Sequence, residues 1–127
     1  MERVTGIGGA FFRAKDPDAL ARWYSQHLGI NAMSSDTDEV WWQQEGPTVW
    51  APFSEDTDYF GRRDQTWMIN FRVTDLDAML AQLRAGGVKV DEALQELDGI
   101  GRFGWATDPE GNRFELWQPA PEAQKRP

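Results

Sequence analysis

Apolar residues recur at two periods along this chain, and the periods mark its elements. Leu20, Tyr24 and Leu28 stand four residues apart, the spacing of one helix face. Asp16 and Pro17 precede them as an N-cap and a first helical residue, and Gly29 follows as a C-cap. Leu76, Met79, Leu80 and Leu83 form a second stripe, capped by Asp75 and ended by Gly86 and Gly87. Around these helices lie short β-prone runs at residues 7–14, 40–44, 47–52, 67–73, 88–90, 103–107 and 113–117. The last two form a hairpin around Asp108-Pro109-Glu110-Gly111-Asn112, a run of turn formers. Residues 31–39 read as a polar turn. Residues 91–100 fit a helical turn and a loop equally. Residues 120–127, with two prolines, read as a fraying tail.

The pattern occurs twice. GAFFRAKDPDAL from Gly9 aligns without a gap on MINFRVTDLDAM from Met68, an offset of 59. Phe12, Arg13, Asp16, Asp18 and Ala19 recur as Phe71, Arg72, Asp75, Asp77 and Ala78. The ends match as well: Val49-Trp50-Ala51-Pro52 corresponds to Leu116-Trp117-Gln118-Pro119 at an offset of 67, eight more than at the front. The extra residues fall within 91–101. An internal repeat decides architecture ahead of any local signal. It predicts an α+β fold of two βαβββ modules in tandem, module one at 4–53 and module two at 66–119, with a linker at 54–65 and the tail at 120–127. The whole of 1–127 is one domain, because neither half is long enough to bury a good core alone.

Composition narrows the function. Acidic residues outnumber basic ones 21 to 13, a net charge of −8, which argues against nucleic acid and anionic membrane as partners and favours a cationic ligand over an anionic one. There is no cysteine, so disulfide and thiolate chemistry are excluded and a cytoplasmic location is expected. MERVTGIGG lacks the basic start and apolar stretch of a signal peptide. Seven tryptophans stand where ordinary usage would give roughly one or two. That surplus suggests an apolar contact surface and a homodimer.

The paired Phe-Arg-x-x-Asp-x-Asp-Ala segments and the closing DPEGNRFELWQP, residues 108–119, resemble the vicinal oxygen chelate superfamily. That group includes glyoxalase I, the bleomycin- and fosfomycin-resistance proteins and the extradiol dioxygenases. The resemblance covers nearly the whole chain. It implies that the two modules form a curved mixed sheet around a common cleft, with the helices outside. It also implies metal-ligand positions on the first and last strands of each module, which the repeat carries onto Gly9, Thr48, Met68 and Glu115. Only Glu115 suits a hard cation; Gly9 has no side chain, Thr48 is a weak donor and Met68 a soft one. His27, the only histidine, falls on the first helix. No bound metal and no cofactor are therefore expected, as in the sequestering branch of the superfamily. A metal-dependent lyase or dioxygenase, and a structural or regulatory module without a ligand, are the alternatives.

Strand alternation assigns the cleft face. Phe11 and Arg13 share it with Gly9, Asn70 and Arg72 with Met68, and Arg113, Glu115 and Trp117 share it on the closing strand. The predicted lining is Phe11, Thr48, Trp50, Met68, Asn70, Glu115 and Trp117, a site for a small aromatic molecule. The repeat puts Trp50 and Trp117 on opposing walls, where they either stack on a planar ring or serve as a repeated packing device. Glu115 either meets a ligand or pairs with Arg13 or Arg72. It is also the one candidate for a catalytic base, and with no second group beside it the chain leans away from an enzyme. There is no nucleophile–base pair, no phosphate-binding loop and no dinucleotide fingerprint, since Gly6-Ile7-Gly8-Gly9 precedes a strand rather than a helix.

Overall fold

A computed structural model describes residues 1–32, 35 and 39–127 of the chain. The expected polar turn at 31–39 lies largely outside the described residues. Both helices form where their caps and stripes place them. Helix α1 spans Pro17–Leu28; the Asp16 side chain accepts from the Ala19 amide, and Gly29 closes the helix at φ 70°. The Ile30 amide reaches back to the Tyr24 carbonyl at 3.3 Å, which satisfies an orphan acceptor of the last turn. Strand β1 spans Asn70–Arg72. Helix α2 spans Leu76–Ala85, with Asp75 accepting from the Ala78 amide in the same way.

The strands that follow are β2 at Lys89–Val90, β3 at Gln95–Leu97, β4 at Gly101–Thr107 and β5 at Arg113–Pro119. The sheet runs β1-β5-β4-β2, with β3 also pairing β4. Strand β1 lies parallel to β5 and the remaining pairs are antiparallel, so the sheet is mixed and open. The ambiguous segment 91–100 is neither helix nor plain loop: it contributes β3 and a turn. The tail is not frayed throughout, since Pro121–Gln124 form a 3-10 turn. Strand β1 is shorter than its sequence run, yet its ladder continues at both ends. The Glu115 amide donates to the Ile69 carbonyl, and Val73 donates to Trp117. Before Ile69 the Gln65 side chain takes over, accepting from the Arg113 amide at 2.9 Å and donating to its carbonyl at 2.8 Å.

One core holds the two helices to the sheet. Leu20 and Tyr24 of α1, Leu76, Leu80 and Leu83 of α2, and Ala106, Phe114 and Leu116 of the sheet are all buried together. Alternation along β5 thus sends Phe114 and Leu116 to the helices and leaves Arg113, Glu115 and Trp117 on the other face. A polar tie reinforces α1: the Tyr24 hydroxyl donates to Asp108 at 2.7 Å. Asp108 also accepts from the Glu110 and Asn112 amides, so it organises the hairpin turn it begins.

The first half departs from the expectation. Residues 7–14, 40–44 and 47–52 are not strands in this structure, and among the described residues the first half contributes α1 alone as regular structure. Two βαβββ modules are therefore not both formed within one chain. The physical reason is that a strand is made by its neighbour. A helix satisfies its own backbone, whereas an extended run gains hydrogen bonds only when an edge lies beside it. Among the described residues, 11 of the 15 exposed large hydrophobics lie within residues 1–53. Phe12 leans on Tyr24, with centroids 6.3 Å apart, while Phe11 stays 89% exposed.

Candidate functional site

The chemistry of the molecule gathers on the sheet face away from the helices, around Glu115. Glu115 sits in the middle strand of three. Its register neighbour on β1 is Asn70 and on β4 is Trp105. Both side chains turn to it: Asn70 Nδ2 donates to Oε1 at 2.7 Å, and Trp105 Nε1 donates to Oε2 at 3.0 Å. The Tyr59 hydroxyl, from the linker, also donates to Oε2. Glu115 is 9% exposed, and three neutral donors rather than a cation compensate it. Arg13 and Arg72 do not pair with it. Arg72 instead donates to the Gln44 carbonyl at 3.0 Å.

Rings enclose this carboxylate. Tyr59 stacks on Phe53 at 5.5 Å and 19°, and meets Trp105 edge-on at 6.2 Å. One step along the face, Trp117 stacks on Phe103 at 6.0 Å with parallel planes, as their pairing across the β4–β5 ladder dictates. The Trp117 indole donates to the Ile100 carbonyl at 3.0 Å. On the other side of Glu115, the Arg113 guanidinium lies 5.6 Å from the Tyr59 ring and 5.2 Å from the Trp105 ring. It donates to the Tyr59 carbonyl and pairs with Asp91 at 3.0 Å. Burial, and then the bond to Glu115, push the Tyr59 phenol up to about 12, so it remains a donor at neutral pH.

Four of the seven predicted lining residues belong to this arrangement. Asn70 and Glu115 are bonded, Trp117 is two residues along the same face, and the Met68 sulfur lies 3.9 Å from Arg113 Nη1. Phe11, Thr48 and Trp50 are exposed and make no hydrogen bond or ring contact with the cluster among the described residues. Trp50 is 83% exposed, so it and Trp117 do not form a closed aromatic sandwich within the chain. Sequence reading missed Tyr59, Phe103 and Trp105. The hairpin register offered a signal for two of them, because a five-residue turn from Asp108 to Asn112 sets Trp105 against Glu115 and Phe103 against Trp117. Nothing in the linker pointed to Tyr59. His27 lies on α1 against Trp23, with centroids 5.0 Å apart, remote in register from these groups.

The metal implied by the superfamily resemblance does not fit these residues. Glu115 is the sole carboxylate of the four carried-over positions, and three N–H or O–H donors already point at its oxygens. The described residues hold no group of three His, Cys, Asp or Glu side chains that could grip an ion, where a protein site needs about three. No helix among them is long and apolar enough to cross a membrane.

A model of the glyoxalase-like domain family matches residues 9–117. Two curated relatives, each described as "Putative glyoxylase CFP32", come from Mycobacterium bovis and Mycobacterium tuberculosis. Each is 36% identical over 56 residues, 44% of this chain and 22% of its own length. The chain thus spans about a fifth of the curated relatives it matches. Among solved structures, the fosfomycin resistance protein FosX from Listeria monocytogenes aligns over 95% of this chain and 96% of its own. Its TM-score is 0.61 at 15% identity, a likeness of fold. TnmS3, an antibiotic binding protein from Streptomyces sp. CB03234, is 36% identical over 41% of either chain, with a TM-score of 0.36.

Proposed function

The chain belongs to the glyoxalase-like domain family, and from this premise we propose that it is a metal-free binding protein for a small planar aromatic molecule. The observation that carries the reading is one sheet face on which Tyr59, Trp105 and Asn70 converge on a buried carboxylate, with the Phe103–Trp117 stack next along the same strands. A few convergent polar groups set in an aromatic surround are what an aromatic ligand needs for orientation and for area. Glu115 and Asn70 orient the ligand, the half-buried Phe103 ring, backed by the buried Trp117, supplies its flat contact, and Phe11, Thr48 and Trp50 close over it. Calorimetric titration of the purified chain with bicyclic aromatic compounds tests this. Saturable binding that weakens in Trp117→Ala and Glu115→Gln is expected. Absence of heat with every compound overturns the reading. It would favour a purely structural module, the reading supported by the absence of any unsatisfied buried polar side chain among the described residues.

The same reading includes a homodimer. The rings of Phe11, Trp42 and Trp50 are each more than four-fifths exposed, on backbone that lacks a strand partner. Aromatic side chains bury about 150–250 Å² each. These three alone would supply much of the roughly 800 Å² that each partner contributes to a stable interface. A second copy supplies the missing edge, completes the strands of module one at 4–53 and brings Trp50 to the ligand face. Sedimentation is expected to show a dimer, weakened by Trp42→Glu. A monomer at micromolar concentration overturns this.

A further inference from the structure

Glu115 is the group on which the charge of any ligand turns, and its bonding settles what it can still accept. A carboxylate offers about four lone-pair positions. Oε2 accepts from both Tyr59 and Trp105, and Oε1 accepts from Asn70. One position on Oε1 is left. Bonds of this kind, to an ionised acceptor, are the strong ones and spread its charge over their donors. Beside Glu115 the Arg113 guanidinium packs against the same Tyr59 and Trp105 rings, its charge already paired with Asp91 at 3.0 Å. An organic cation entering here meets an acid whose charge three donors already share, and an Arg113–Asp91 pair with no free carboxylate to offer it. An anion meets the acid. An uncharged molecule with one O–H or N–H meets one open acceptor.

We propose that Tyr59 is the residue that sets this selectivity: by capping Glu115 it makes the site take an uncharged planar aromatic molecule bearing one hydrogen-bond donor, and reject organic cations. The inference rests on the ligand-binding reading above and reverses the preference for a cation that net charge alone suggested. Tyr59 is singled out among the three donors by its place in the chain. Asn70 and Trp105 are fixed opposite Glu115 by the strand ladders. Tyr59 reaches over from the linker, so removing its hydroxyl leaves the sheet intact and the ring stacked on Phe53.

The test is calorimetric titration of wild type, Tyr59→Phe and the double variant Tyr59→Phe/Glu115→Gln with three matched probes: 2-naphthol, 2-naphthylmethylammonium and 2-naphthoate. Wild type binds the naphthol best. In Tyr59→Phe the affinity ratio of the ammonium to the naphthol rises about tenfold, which corresponds to about 1.4 kcal/mol. In the double variant that gain disappears, because it depends on an uncapped carboxylate. A wild type that prefers the ammonium overturns the inference. So does a Tyr59→Phe variant whose affinities all fall alike with the ratio unchanged, the signature of a merely structural tyrosine. Failure of all three probes to bind wild type refutes the ligand-binding reading itself, and the selectivity argument with it.

Discussion

Replacing Tyr24 by Phe removes one oxygen and tests whether the first half of the chain is held to the sheet as described. The ring stays, with its contacts to Phe12, Trp23, Phe71 and Phe114 at 4.9–6.3 Å, so no cavity opens. What goes is the 2.7 Å donation to Asp108, between two buried groups. A hydrogen bond to a charged partner contributes about 1.5–3 kcal/mol. Asp108 keeps three other donors, from Glu110 and Asn112, so it is not orphaned and the lower part of the range applies. The expected loss is about 1.5–2 kcal/mol in guanidinium denaturation, with an unchanged m-value. The pH dependence gives a second reading of the same bond. Burial, and then Asp108, raise the Tyr24 phenol above its ordinary value. Above about pH 10 the unfolded chain therefore releases a proton that the folded chain keeps, and stability falls by up to about 1.4 kcal/mol per pH unit for each such tyrosine. Tyr24→Phe should fall less steeply than wild type over that window. A loss below about 0.5 kcal/mol, the floor for an ordinary hydrogen bond, together with parallel alkaline curves, would refute the tie between α1 and the hairpin turn.

Three further outcomes are expected. Both tyrosines of the chain are raised, Tyr59 to about 12, so near-ultraviolet titration should show no tyrosinate at pH 10 in the folded protein. One ionising tyrosine at that pH would contradict the burial of one phenol or the other. Gly101→Ala should cost at least about 2 kcal/mol, from overpacking and backbone strain together. Its φ is 140°, and a Cβ there would stand 2.2 Å from the Gln118 carbonyl oxygen; thermal unfolding checks this. Asp75→Ala should cost about 1 kcal/mol by loss of a helix cap, since its side chain accepts from the Ala78 amide at 3.0 Å, and Asp75→Asn should restore most of it.

The parts of this molecule that were legible in its sequence are those decided by neighbours along the chain. Asp16 and Asp75 cap, Leu20, Tyr24, Leu76, Leu80 and Leu83 bury, and Asp108 opens a turn, each through contacts within a few residues or through a period of 3.6. The closing hairpin was legible because its short turn fixes its register, and with it the face that Glu115 and Trp117 share. Tyr59 was not, because 56 residues separate it from Glu115 and the linker around it has no period to read. The convergence of three donors on Glu115 was hidden for the same reason: alternation tells which face a side chain takes, not how many donors converge there.

The repeat makes the point within a single molecule. The same motif caps a helix in both halves, with Asp16 accepting from Ala19 at 3.1 Å and Asp75 from Ala78 at 3.0 Å. Yet Asn70–Arg72 is a strand, while the equivalent Phe11-Phe12-Arg13 is exposed and forms no strand. Local sequence cannot account for the difference, since Phe-Arg is common to both. What differs is that β5 lies alongside Asn70–Arg72, each residue matched to Glu115, Leu116 or Trp117. The duplicated half carries the same β propensity without that edge, and propensity without pairing leaves backbone groups to water. On the proposed dimer, the copy that supplies the edge also covers Phe11, Trp42 and Trp50, since pairing at the edge brings the partner's side chains onto the adjoining face. Strand formation and burial of these rings should therefore appear together, and a spectroscopic rise in strand content without a blue shift in tryptophan emission would separate them and break that link.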